Sequence, residues 1–128
     1  MHTSAFAGDC SQPRKTQQAP ANIYNQANPL PPTPENISVG ELLYQKDAKP
    51  LACAQCHGPQ GDGKGVMGSA MNPKPRDFTC SQMMKDLADG QLFWIIKNGS
   101  SGTGMMAFKG LKDEQVWQIV HYLRLLAK

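Results

Sequence analysis

Apolar residues recur at helical spacing near the end of the chain. Val116, Ile119, Val120 and Leu123 form the stripe, with Trp117 and Tyr122 flanking it. This predicts an amphipathic helix starting at 112–114 and ending near Ala127. Asp113 and Glu114 suit its positive N-terminus, and Arg124 and Lys128 its C-terminus. A shorter helix is predicted from Asp89 to the stop pair Asn98-Gly99, and another near 80–88 opened by Thr79 and Gln82. Ser38-Val39-Gly40-Glu41 reads as a capping box before Leu42, Leu43 and Tyr44, with Pro50 ending the segment. Glycine inside a helix costs about 0.5–1 kcal/mol relative to alanine, so Gly40 marks a place where a second helix crosses closely. Residues 58–77 and 99–112 are rich in glycine, or glycine and proline, and read as loops. No useful strand alternation and no internal repeat is visible, so the fold class is all-α. The longest apolar run, Leu92 to Ile96, is far too short to span a bilayer.

Residues 1–35 differ from the rest. Pro13, Pro20, Pro29, Pro31, Pro32 and Pro34 are interspersed with Gln and Asn, and apolar residues are few. This composition fits a flexible linker, or an extended, partly polyproline arm lying over a folded domain at 36–128. Ala5-Phe6-Ala7 has the small-x-small form of a signal-peptidase site without a full signal peptide before it, so the mature chain is expected to begin near Gly8. Asp9 makes a poor lipid-attachment context for Cys10.

Composition narrows the class. Among 128 residues, 40% are hydrophobic and 18% charged, which excludes collagen-like, coiled-coil and wholly disordered chains. The formal net charge is +3, from 13 scattered basic and 10 acidic residues. That balance is too weak to indicate nucleic acid, and suits a modest positive face toward an anionic protein partner.

The four cysteines carry the chemistry. Cys53-Ala54-Gln55-Cys56-His57 is the C-x-x-C-H attachment signature of a c-type haem. Its two cysteines reach two vinyl positions on one porphyrin edge, and the histidine falls beneath the iron as an axial ligand. A thioredoxin-like dithiol lacks its βαβ context. A zinc site lacks a second ligand pair, since the other histidines are His2 and His121. His121, beside the Val116/Val120 stripe, reads as a surface or hydrogen-bonded residue. Covalent haem attachment occurs outside the cytosol, so the chain is expected to be exported, and the spare Cys10 and Cys80 then read as a disulfide rather than two free thiols. Such a bridge closes a long loop and favours the arm over the linker.

A second axial ligand must come from elsewhere. Met67, Met71, Met83 and Met84 read as packing residues. Met105 and Met106 lie in a glycine-rich loop before the final helix, where a thioether can be brought over a haem face. The spaced glycines at 61, 63 and 65 lack a preceding strand and the Gly-Lys-Ser/Thr ending of a phosphate-binding loop.

Over 36–128 the chain resembles the class I c-type cytochromes, the small bacterial monohaem kind. The resemblance rests on Gly40-Glu41-Leu42-Leu43-Tyr44, on Cys53 to Gly63, on Lys97-Asn98-Gly99 through Met105-Met106-Ala107-Phe108, and on Trp117 through Leu123. It implies three to five helices around one covalent haem, with the terminal helices crossing near Gly40, Tyr44, Trp117 and Tyr122. It implies thioethers at Cys53 and Cys56, His57 as proximal ligand, and Met105 as distal ligand with Met106 as the alternative. Met106 stands where the family usually has proline after its ligand. The resemblance also implies a proline carbonyl holding the His57 Nδ1–H, with Pro73 the match and Pro75 the alternative. Arg76 is a candidate partner for a haem propionate, against a surface pairing with Asp77. Phe93 and Trp94 are expected in the core or at the haem edge. Lys112 replaces the family's Ser or Thr helix cap, leaving Asp113 to cap.

The expected function is that of a non-enzymatic, monomeric periplasmic one-electron carrier with His/Met ligation, moving electrons between redox protein donors and acceptors with acidic docking surfaces. No nucleic acid and no membrane span are expected. Lys64, Lys74, Lys97, Lys109 and Lys112 are candidate steering charges. The alternatives are a haem with a labile sixth ligand, serving catalysis or gas binding, and an electron-transfer subunit docked to a larger oxidoreductase.

Overall fold

The structure is a computed structural model that describes residues 10–128. The Ala5-Phe6-Ala7 cleavage reading and Asp9 lie outside the described residues. Those residues hold six α-helical segments and no strand: α1 (Ala21–Tyr24), α2 (Pro34–Leu42), α3 (Ala54–His57), α4 (Ser81–Met84), α5 (Asp89–Asn98) and α6 (Asp113–Leu126). Three of the six are single turns of four residues, so the count exceeds the expected three to five mainly through short pieces.

Helix α2 starts four residues before the predicted Ser38. Thr33 Oγ1 accepts from the Asn36 N–H at 3.2 Å, and Pro34 occupies the first turn with its φ already helical. The Ser38 capping box is therefore unused, because its backbone is already inside the helix. A π-helical turn, Leu43–Asp47, continues α2 and brings Tyr44 into the core.

The core lies where α2 crosses α6. A Cβ at Gly40 would lie 2.1 Å from the Gln118 carbonyl oxygen, so only glycine admits this approach. Tyr44 packs on Tyr122 with ring centroids 5.3 Å apart and, like Val116 and Val120, is fully buried. The Tyr44 hydroxyl donates to the Gly58 carbonyl at 2.6 Å and fastens this core to the loop after α3. Phe93 stacks on Trp117 at 4.3 Å.

At the start of α6, the Lys112 N–H donates to Gln115 Oε1 at 2.9 Å. Asp113 is helical and pairs with Lys97 at 3.0 Å instead of capping. Arg124 does more than complement the helix end. It pairs with Asp89 at 2.7 Å and donates to the carbonyls of Met84 and Leu87, tying α6 to the α4–α5 connection.

Residues before α2 lie along the domain. Cys10 and Cys80 are joined through their sulfurs, with Cα atoms 5.7 Å apart. Gln12 makes a two-point contact, donating to Pro75 O at 3.0 Å and accepting from the Asp77 N–H at 2.7 Å. Buried Gln91 accepts from the Ala19 N–H at 2.7 Å and donates to Gln17 O at 2.8 Å. Asn28 donates to Trp117 O at 3.0 Å, and His121 Nε2 contacts Leu30 O at 2.7 Å. These contacts hold the segment down at points spread along its length.

Candidate haem site

The C-x-x-C-H segment forms the single turn α3, which places Cys53, Cys56 and His57 on one wall of a cleft. The same cleft is lined by Met105, Met106 and Phe108 from the loop after α5, with Leu92, Ile95 and Ile96 from α5 and Ile119 and Leu123 from α6. The cleft is partly open, with about 1080 Å³ of empty space when the adjoining solvent is counted.

The wall around His57 is heavily braced. His57 stacks on Phe78 at 4.5 Å between centroids. Its carbonyl accepts from the Gly63 N–H at 2.8 Å, and that of Cys56 from the Gly65 N–H at 3.0 Å. The ring Nδ1 donates to the carbonyl of Arg76 at 3.0 Å. This corrects the expectation of Pro73 or Pro75. Pro75 O is taken by Gln12, and Pro73 lines the cleft without meeting the imidazole nitrogen. With Nδ1–H engaged, Nε2 carries the lone pair and has no hydrogen-bond partner among the described residues. Burial pushes the imidazole down to about 4, opposed by the Arg76 backbone bond and assisted by the Arg14 and Arg76 charges. A neutral ring with a free Nε2 is the form that ligates a metal.

Cys53 and Cys56 are unpaired. Burial pushes the Cys53 thiol up to about 12 and also raises that of Cys56. A redox dithiol needs a lowered thiolate, so these cysteines do not fit that chemistry.

The methionine loop is held within itself. The Met105 N–H donates to Thr103 Oγ1 at 3.0 Å, and Met105 O accepts from the Ser100 N–H at 3.1 Å. The Thr103 hydroxyl donates to Ser100 O at 2.7 Å, and the Phe108 N–H to Ile96 O at 2.9 Å. Met71, read from sequence as packing, also lines the cleft. Met84 is buried away from it, and Phe93 and Trp94 are not among its lining residues.

Arg76 lines the cleft and makes no ion pair with Asp77, whose Oδ1 accepts from Thr79. Sequence reasoning missed Arg14. It enters the same cleft from the N-terminal segment, donating through Nη2 to Lys74 O, while its Nε is buried with no partner. Of the five candidate steering lysines, Lys97 is held by Asp113 and Leu111 O, Lys74 by Ser69 O, and Lys109 by Asn98.

These residues fit a covalently held haem: an apolar slot, two thiols three apart, a neutral imidazole, thioethers in the lining and cationic groups at one end. The fold and this site together define a c-type cytochrome domain. The family described as "Cytochrome C oxidase, cbb3-type, subunit III" matches residues 35–123, and the chain belongs to that family. Among solved structures, the chain is similar to one of the Kuenenia stuttgartiensis reducing HAO-like protein complex, with 31% identity and a TM-score of 0.68 over 78% of this chain. It spans 47% of that chain's length. Comparison with curated proteins gives no match. A cytochrome c domain carries covalent haem c, transfers electrons through it and works with redox partners. No helix among the described residues is long and apolar enough to cross a membrane.

Proposed function

We propose that this domain is a non-enzymatic one-electron carrier of an exported, periplasmic compartment. It would hold a single haem through thioethers at Cys53 and Cys56, with His57 and Met105 as axial ligands. The observation that carries the reading is the composition of one cleft, where a neutral imidazole fixed through its Nδ1 shares the lining with Met105 and Met106. Bound haem supplies a one-electron Fe(II)/Fe(III) couple, and methionine ligation raises its potential relative to a second histidine.

The chain's residues do the rest. Arg76 O fixes the imidazole plane and its tautomer. Thr103 and Ser100 grip the Met105 backbone on both sides, which would hold its side chain in place as a ligand. Ile95, Ile96, Leu92 and Phe108 exclude water from the slot. Arg76, in the cleft lining, would pair with a haem propionate. The Cys10–Cys80 bridge belongs with an oxidising compartment. Partners with acidic surfaces would be steered by exposed Lys64 and Lys112, which make no ion pair among the described residues, and would meet the monomer in small, short-lived contacts.

Optical spectra of the oxidised and reduced protein, with and without carbon monoxide, test this. A closed carrier gives a sharp reduced α-band, a weak ferric band toward the red from sulfur ligation, and no carbon monoxide response. Met105→Ala abolishes the sulfur band and Met106→Ala keeps it. A high-spin parent that binds carbon monoxide readily would move the assignment to a catalytic or gas-binding haem. Intact mass and thiol alkylation without reductant test the bridge, since two alkylatable thiols in the haem-loaded protein would contradict it.

A second reading, one electron-transfer module of a larger oxidoreductase, is favoured by the similarity to a chain of which the match covers 47%. Stoichiometric co-purification of a partner protein would favour it over the free carrier.

A further inference from the structure

We propose that Arg14, carried by the N-terminal arm, is a haem-binding residue that works with Arg76 to hold the haem carboxylates at one end of the cleft. The inference rests on haem occupying the cleft, as proposed above, and extends the site to a segment before the residues matched by the family.

Arg14 is aimed by its neighbours. Gln12, two residues earlier, is fixed at both ends of its amide to Pro75 O and the Asp77 N–H. Cys10 is joined to Cys80 on the far side of the same segment. Arg14 Nη2 donates to Lys74 O. The arm is thereby laid along 74–77, the stretch whose Arg76 carbonyl receives the His57 Nδ1–H. Both guanidinium-bearing residues line the cleft, and both also line a groove opening beside it.

The charges at this end lack a counterpart. Among the described residues, no Asp or Glu lines either the cleft or the groove, and neither arginine makes an ion pair. Arg14 Nε is buried without a hydrogen-bond partner. A buried donor left unmet costs about 1–3 kcal/mol, more when charged, and two guanidiniums brought together in an apolar setting add repulsion. What satisfies such a pair is a group with two carboxylates, matched to the planar donor fork of arginine. Haem carries two propionates.

The experiment uses the haem-loaded full chain with R14Q and R14K. Intact mass first establishes covalent haem. Midpoint potentials and the propionate bending band in resonance Raman spectra follow. A positive charge near the haem stabilises the reduced state, so R14Q lowers the potential. R14K keeps the charge and holds the potential close to the parent's. The propionate band shifts in both variants, because lysine replaces a planar fork with a point donor. If R14Q does not fold, the R14K band decides the matter.

An unmoved band in R14K overturns the inference. So does an R14Q potential equal to the parent's, with haem attachment intact in each case. Absence of haem from the parent would overturn the site reading itself, and this inference with it.

Discussion

His57 is held by residues distant in the chain, whereas Met105 is held by residues beside it. The imidazole is fixed by Arg76 O and Phe78, and that segment is gripped in turn by Gln12 and by the Cys10–Cys80 link. The hydrogen bonds at Met105 run only to Ser100 and Thr103, and the rest of its loop returns to the adjacent helix α5 through Phe108 to Ile96, Lys109 to Asn98 and Lys97 to Leu111 O. Long-range bracing makes the first wall part of the global fold. Local bracing lets the second wall open with little disturbance elsewhere. Under the proposed His57/Met105 ligation, the iron is expected to keep its histidine under stress and lose its methionine first.

The largest effect should come from His57→Ala. Among the described residues no other imidazole lines the cleft, so the low-spin spectrum is lost entirely. A variant that stays low-spin would show that the braced wall is not the one that matters. Cys80→Ser cuts the bracing at its base. The closed loop has a sequence separation of 70, for which the chain-entropy account gives about 4 kcal/mol, read as a lower denaturation midpoint in the oxidised holoprotein. A loss below about 1 kcal/mol would mean that hydrogen bonds alone hold the arm.

Gln91→Leu should cost about 1–3 kcal/mol, because it leaves the buried Ala19 N–H unmet. Protease cleavage within residues 13–20 reports the same event, and an arm that stays protected would break the link between Gln91 and the braced wall. Thr103→Val is the smallest, at about 1 kcal/mol of stability. It should speed carbon monoxide binding to the reduced protein while leaving the His57 side intact. A larger global loss would erase the contrast between the two walls.

The haem-attachment motif and the methionine loop were legible because each is written in contiguous residues. Cys53 to His57 form one turn, and Met105 and Met106 lie in one short loop. The stripe Val116, Ile119, Val120 and Leu123 identified α6 because helical packing imposes a period. Gly40 was readable as a crossing point because a helix interior rarely accepts glycine without cause. The start of α2 was misread because Pro34 was grouped with the prolines before it, although proline suits a first turn as well as an arm. The His57 acceptor was misassigned because any carbonyl in 73–76 looks alike in sequence, and only the folded partners separate them: Arg14 on Lys74 O, Gln12 on Pro75 O and His57 on Arg76 O. The role of Arg14 had no sequence signal, since it depends on bonds between residues about sixty apart that leave no period. The nearest clues were Gly90 and Gln91. The first has no room for a side chain beneath Ile23 O, and the second is a buried amide that needs partners.

The contact at Gly40 also bears on how the chain comes to be folded. Its partner, the Gln118 carbonyl, lies near the opposite end of the domain, so α2 has nothing to pack against until the last helix has been made. Pairings of such long range set a slow, end-dependent step in folding. Cys53, Cys56 and His57 lie in sequence between these two helices, so they are made before α2 and α6 can cross. Delayed closure of this kind would suit a protein that must cross a membrane unfolded and receive a covalent group before its cleft shuts.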